Sequence, residues 1–286
     1  MTLRTRDVAV RGGELRVGEW GRDDGPVVVA IHGITASHLA WAAVADALPE
    51  VHLVAPDLRG RGASSDLPGP FGMTQHAEDM AAVLDALAVP DPLIVGHSMG
   101  AFVALVTAQR TKASRAPLLV DGGLPLELPP GYRPEDAERL LGPAAARLAM
   151  NFESRQDYRE FWKQHPALGT DWSAAVEAYV DYDLAGVAPR LRSRTSAAAM
   201  VADSVQLYGD EAVSAALDAF ADRSTLLTAP RGLQDAEPLY SAAALDRWRR
   251  RFPGLVVEEV PGVNHYTVVM SPRGARAVAG HIRRLL

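Results

Sequence analysis

Gly96-His97-Ser98-Met99-Gly100 follows the apolar run Pro92-Leu93-Ile94-Val95 and precedes Phe102, Val103, Leu105 and Val106. This is G-x-S-x-G in the setting that gives it meaning, the passage from a strand into a helix. The glycines permit a tight, strained turn that lifts the Ser98 hydroxyl clear of a sheet. The Met99 amide then faces the oxyanion position at the helix start. A serine hydroxyl is a poor nucleophile without a base. The base expected is His265, in the loop Pro261-Gly262-Val263-Asn264-His265-Tyr266 beyond the last apolar strand. His32, His38, His52, His76, His97, His165 and His281 compete. His97 adjoins Ser98, but its side chain should leave the turn another way. His32 ends a strand and should organise the oxyanion loop. The imidazole in turn needs an acid to fix its tautomer. Asp235, in Gly232-Leu233-Gln234-Asp235, follows the strand before the base-bearing one and is the acid expected. Asp121, ending the strand after the nucleophile helix, is the alternative. Gly33 lets the chain pass close to the serine, and the Ile34 amide is expected to join Met99 as an oxyanion donor.

These residues need a scaffold that delivers them to one sheet edge. Residues 6–20 alternate around Gly12-Gly13, as in a hairpin. Pro26-Val27-Val28-Val29-Ala30-Ile31 is a continuous apolar run, the pattern of a parallel strand covered on both faces. Helical residues near Leu39 to Leu48 lead to a second strand, Val51 to Pro56. Thr74 is placed to cap a helix whose apolar stripe is Ala77, Met80, Ala81, Leu84, Leu87 and Ala88. The third strand is Pro92 to Val95, and the fourth, Pro117-Leu118-Leu119-Val120, ends at Asp121. Strand and helix alternate as in a doubly wound, mostly parallel α/β sheet. The alternation lapses from about Leu124 to Ala221, where helical stretches carry Trp162, Trp172, Tyr179 and Tyr182. It resumes with strands at Ser224–Pro230 and Leu255–Val260, a helix near Ala242–Arg251, and a last helix from about Pro272. We therefore expect a core of residues 1–123 and 222–286, with a helical lid, 124–221, inserted after the fourth core strand. The lid aromatics either face a substrate or pack the lid onto the core.

The remaining composition narrows the chemistry. The 286 residues contain no cysteine, which excludes disulfides and cysteine nucleophiles. With 29 Lys and Arg against 35 Asp and Glu, the net charge of -6 argues against a nucleic-acid partner. Asp57-Leu58-Arg59-Gly60-Arg61-Gly62 is glycine-rich but is not a dinucleotide fingerprint, and structural ion pairing by Asp57, Arg59 and Arg61 is expected instead. No His, Asp and Glu cluster has metal-site spacing, and neither metal nor cofactor is expected. No apolar run is long enough to span a membrane and no secretory signal is visible, so a soluble cytoplasmic enzyme of a small molecule is expected. Nothing in the sequence specifies an oligomeric state.

Taken in order, His32-Gly33, Asp57 to Gly62, Gly96 to Gly100, Gly232 to Asp235 and Asn264-His265 resemble the α/β-hydrolase family, in its lidded, esterase-like branch. The resemblance implies oxyanion donation from Ile34 and Met99. It favours Asp235 as the acid, while some members draw the acid from the position of Asp121. Family dehalogenases and epoxide hydrolases attack with aspartate, whereas position 98 is serine. The expected reaction is hydrolysis of a moderately apolar carboxylic ester or lactone through an acyl-enzyme. The alternatives are carbon–carbon bond hydrolysis of a diketone-like, meta-cleavage-type substrate, or an inactive ligand-binding receptor of the same fold.

Overall fold

A computed structural model describes residues 1–89, 91–128, 131, 133 and 143–286. Its central sheet has eight strands: β1 (Arg4–Val10), β2 (Gly13–Gly21), β3 (Val27–Ile31), β4 (His52–Pro56), β5 (Leu93–His97), β6 (Leu118–Val120), β9 (Thr225–Thr228) and β10 (Val256–Glu259). They run in the order β1-β2-β4-β3-β5-β6-β9-β10. The hairpin β1-β2 joins β4 antiparallel, and every other pairing in this sheet is parallel. The continuous apolar run at β3 has the role its pattern predicts. Val27, Val29 and Ile31 enter one buried cluster, and Val28 and Ala30 enter the cluster on the opposite face. Each fully buried valine or isoleucine contributes about 1.5–3 kcal/mol of transfer free energy, so a single-residue register slip would disrupt both clusters.

Helices cover both faces. On one side lie α2 (Met73–Leu87) and α3 (Met99–Thr111), with Met80, Val83, Phe102 and Val103 in the first cluster. Residues 99–108 of α3 are buried without interruption, the mark of a helix enclosed on all sides. On the other side lie α1 (Ala42–Asp46) and the C-terminal helix (Pro272–Leu285), through Val44, Ala45, Val278 and Ile282. Chain progression reverses about β3: it steps to β4 on one side, then crosses to β5 on the other. The carboxyl ends of β3 and β5 therefore flank a switch point, where open α/β sheets form a ligand crevice.

Between β6 and β9 the chain leaves the sheet for an insertion of several helices: α4 (Pro143–Leu148), α5 (Arg155–Lys163), α6 (Ala174–Tyr182), α7 (Ala197–Gln206) and α8 (Glu211–Phe220). Within the span expected for the lid, residues 129, 130, 132 and 134–142 lie outside the described residues. The insertion also holds a small antiparallel hairpin, β7 (Leu184–Val187) with β8 (Arg190–Ser193). An all-helical reading misses it because neither strand has a β-branched run. Polar contacts fix it instead: Arg147 pairs with Asp183 and donates to Ser193 Oγ at 3.0 Å, and Phe152 bridges to Leu191. Helix α8 belongs to the layer over the sheet, burying Val213, Ala216, Leu217 and Phe220 in the same cluster as α3. After β9 come α9 (Ala242–Arg251), β10, the short α10 (Thr267–Met270) and the C-terminal helix, α11. Among the described residues, no helix is long and apolar enough to cross a membrane.

Candidate active site

Ser98 stands between β5 and α3 with φ 56° and ψ -125°. This conformation is costly for a residue with a Cβ. The turn closes because its neighbours are small. A Cβ at position 100 would stand 2.1 Å from the Ile31 carbonyl oxygen, and one at position 122 would stand 2.1 Å from the Ser98 carbonyl oxygen. Gly122, in the loop after β6, is thus as necessary to the serine turn as the glycines of the motif. The Ser98 amide donates to the Val120 carbonyl at 2.9 Å, tying the turn to β6.

His265 reaches the serine from beyond β10. Its Nε2 accepts from Ser98 Oγ at 3.0 Å, and its Nδ1 donates to Asp121 Oδ2 at 2.6 Å. Both His265 and Asp121 are buried. The acid beside the ring is therefore Asp121, and the expectation of Asp235 is corrected. Asp121 is the first residue after β6, where its amide donates to Leu227 and its Oδ1 accepts from the Ala229 amide at 3.1 Å. Those bonds leave Oδ2 for the histidine. Asp235 is occupied elsewhere: Arg231 Nη1 donates to it at 2.6 Å and Asn264 Nδ2 at 2.8 Å. Asn264, to which the sequence motif assigns no separate role, shapes the loop that carries His265. Its Oδ1 accepts from the Tyr266 and Thr267 amides, and its Nδ2 also donates to the Ala167 carbonyl in the insertion at 2.9 Å.

The other residues expected at the site surround this line. His32 Nδ1 donates to the Gly33 carbonyl at 2.8 Å, while its Nε2 accepts from the Leu58 amide at 2.9 Å. That pattern requires the neutral ring, and burial holds its pKa down at about 4. His97, expected to leave the turn another way, bonds to the His265 backbone and not to Ser98. It lines the same pocket, and its Nε2 donates to the backbone carbonyl of His265 at 2.7 Å. Burial, and secondarily the nearby His265, push its pKa well below the ordinary histidine value. Ile34 lines the pocket, and Met99 is the first residue of α3, where an amide has no partner within the helix.

Asp57, Arg59 and Arg61 are buried and paired. Arg59 grips Asp79 with two nitrogens, at 2.9 and 2.7 Å. Arg61 Nε donates to the Ile34 carbonyl at 2.8 Å, and its Nη1 meets Asp203 of α7 at 2.5 Å. Arg61 therefore fixes the peptide that follows Ile34 and ties it to the insertion. Asp57 accepts from the His38 ring at 2.8 Å and from the Tyr182 hydroxyl at 2.6 Å. Of the four insertion aromatics singled out in the sequence, Tyr179 alone lines the pocket. Tyr182 is the Asp57 partner, Trp162 packs beneath Arg147, and Trp172 sits under Lys163. These rings chiefly pack the insertion on itself and on the core. The pocket above Ser98 is small, about 40 Å³, and is walled by Ile34, Ala36, Ala40, Tyr179, Leu233, Tyr266, Val269 and Met270 with Gly33, Thr35, His97 and His265. Among the described residues, no three His, Asp or Glu side chains stand together as a metal site requires.

Residues 28–280 match the sequence pattern of the Alpha/beta hydrolase family. The chain is 27% identical over 254 residues to 2-(acetamidomethylene)succinate hydrolase of Mesorhizobium japonicum, covering 88% of this chain and 85% of that protein. Its fold is that of the crystal structure of E-2-(acetamidomethylene)succinate hydrolase, with a TM-score of 0.78, 23% identity and 99% of both chains covered. It is equally that of the thioesterase domain from the curacin biosynthetic pathway, with a TM-score of 0.78, 21% identity, and 99% and 100% of the two chains covered.

Proposed function

The chain belongs to the alpha/beta hydrolase family, and from that premise we propose that it is a serine hydrolase of a neutral, moderately apolar carboxylic ester or lactone. The observation that carries the proposal is the continuous line Ser98 Oγ, His265 Nε2, His265 Nδ1, Asp121 Oδ2, with steps of 3.0 and 2.6 Å. Ser98 Oγ attacks the acyl carbonyl as His265 Nε2 takes its proton. Asp121 stabilises the imidazolium and holds the tautomer that presents Nε2 to the serine. The Ile34 and Met99 amides bind the developing oxyanion, with Arg61 orienting the peptide after Ile34. His265 returns the proton to the leaving alkoxide, and water repeats the sequence on the acyl-enzyme.

The preference for a neutral substrate rests on the pocket wall, to which, among the described residues, no Asp, Glu, Lys or Arg contributes. A free carboxylate entering such a site would lose its hydration without gaining a cation. The sequence relative is named for a succinate derivative, and here the described wall residues offer a dianion neither Lys nor Arg. The span 124–221, as a lid, would exclude water during acyl transfer. The test is turnover of neutral aryl esters and lactones beside an acetamidomethylene dicarboxylate and a meta-cleavage-type dienoate. Neutral esters should be cleaved with kcat/KM well above that for either comparison compound. Rapid cleavage of the dienoate or dicarboxylate with no ester turnover would overturn the proposal.

A further inference from the structure

The pocket over Ser98 is narrow beside the space that adjoins it. Its volume of about 40 Å³ corresponds to about three water molecules at one probe sphere each. A second, larger, half-open cavity of about 350 Å³ is walled mainly by Leu126, Leu207, Tyr208, Leu239 and Tyr240, with Glu127, Ser204 and Ser241 also in its lining. Among the described residues, one side chain lines both spaces, Leu233. It sits in the turn after β9, half-buried, and is shared by the lining of the catalytic chamber and that of the second cavity.

The surroundings make Leu233 a partition in a fixed frame. The backbone of its turn is closed by Gly232 donating to Ala236 and Asp235 donating to Gly232, each at 3.1 Å. Arg231 and Asn264 clamp the Asp235 carboxylate. The far wall is also held: the Tyr240 hydroxyl donates to the Leu124 carbonyl at 2.8 Å and accepts from the Leu124 amide at 3.1 Å. A leucine side chain can change rotamer within such a frame at little cost, whereas moving the backbone would break these hydrogen bonds.

Building on the serine-hydrolase reading, we propose that Leu233 gates a chain-binding chamber. The substrate carries one extended apolar chain, which passes Leu233 and lies against Leu207, Tyr208, Leu239 and Tyr240 while its ester stays at Ser98. This assigns a role to the residues around Asp235, which do not supply the histidine's acid: they hold the gate turn. It also gives an extended apolar chain more room than the catalytic chamber alone provides.

The experiment compares wild type with Leu233→Trp, Leu233→Ala and Tyr208→Ala. Two ester series are used, one lengthening the acyl chain from acetate to dodecanoate and one lengthening the alcohol of an acetate. In one of the two series, wild-type kcat/KM should rise by up to about fourfold per buried methylene until the chamber is full. Leu233→Trp should lower the long-to-short ratio in that series by tenfold or more, and Leu233→Ala should raise it. Tyr208→Ala, on the far side of the gate, should lower the ratio about tenfold. Ratios within twofold of wild type for all three variants, in both series, would overturn the gate. Labelling by a short ethyl fluorophosphonate separates the two failures. Labelled Ser98 with unchanged ratios defeats the gate alone, and no labelling with no ester turnover defeats the hydrolase reading and the gate together.

Discussion

Ser98 is held in a conformation that costs roughly 1–3 kcal/mol for a side-chain-bearing residue, and local bonds offset it. Its amide is taken by Val120, and its carbonyl accepts from the Ala101 amide at 3.0 Å. The same loop after β6 supplies Gly122, against the Ser98 carbonyl, and Asp121, against His265. Nucleophile turn and acid are thus built by one strand pair, β5 and β6. From this follows the sharpest distinction between the two acids. Asp121→Asn should lower kcat by about 10⁴-fold, because it favours the wrong histidine tautomer, while Asp235→Asn should keep kcat within an order of magnitude. The converse ranking, measured on variants with unchanged circular dichroism, would reinstate Asp235. Nucleophile and base were legible because their types and strand contexts are specific. The acid was not, since both aspartates end on the same sheet edge in sequence. What separates them is side-chain partnership: Arg231, four residues before Asp235, was the visible signal that this carboxylate had a partner already.

At the scale of elements, β3 is joined to the loop after β4 by a neutral histidine. His32 donates to Gly33 and accepts from Leu58, so protonation must break the second bond. Its folded pKa of about 4 lies below the unfolded value of 6.5. Between those values the unfolded chain binds more protons, so stability falls as the pH drops from 6.5 towards 4. The full effect of His32 is about 3 kcal/mol, and His97, depressed by burial, acts in the same direction. His32→Gln, which keeps a donor and an acceptor without the titration, should flatten the pH dependence of the urea midpoint in this window. An unaltered slope would show that His32 does not titrate this way. Asp203 contributes in a lower window. Burial works to raise its carboxyl, but His76 and Arg61 outweigh this and hold it at about 2. Its contribution is therefore present above the unfolded value of 3.8 and is lost as the pH falls through about 2. The same residue explains one misplaced boundary. Helix α2 begins at Met73 with Gly72 as its cap, rather than at a Thr74 cap. Asp203 Oδ1 accepts from the Gly72 amide at 2.7 Å and Gln206 Oε1 from the Met73 amide at 2.6 Å. Caps borrowed from α7, some 130 residues away, leave no local signal near Thr74.

Across the whole molecule, the insertion is fastened to the core by buried polar contacts that converge on the crevice. Asp57 meets Tyr182, Arg61 and His76 meet Asp203, and Asn264 meets Ala167. The strand and helix alternation of the core was readable because apolar runs reveal buried strands directly. The insertion's hairpin and its clamps were hidden because they depend on polar pairs far apart in sequence. The arrangement brings Ser98, His265 and Asp121 together from the ends of three strands, and its central claim is that Ser98 forms a covalent acyl intermediate. Intact-mass analysis during turnover of an aryl ester tests this most directly, with peptide mapping after a fluorophosphonate chase. One adduct per chain is expected, located on Ser98 and absent from Ser98→Ala. An actively hydrolysing protein that carries no adduct, or whose Ser98→Ala variant retains full turnover, would contradict it.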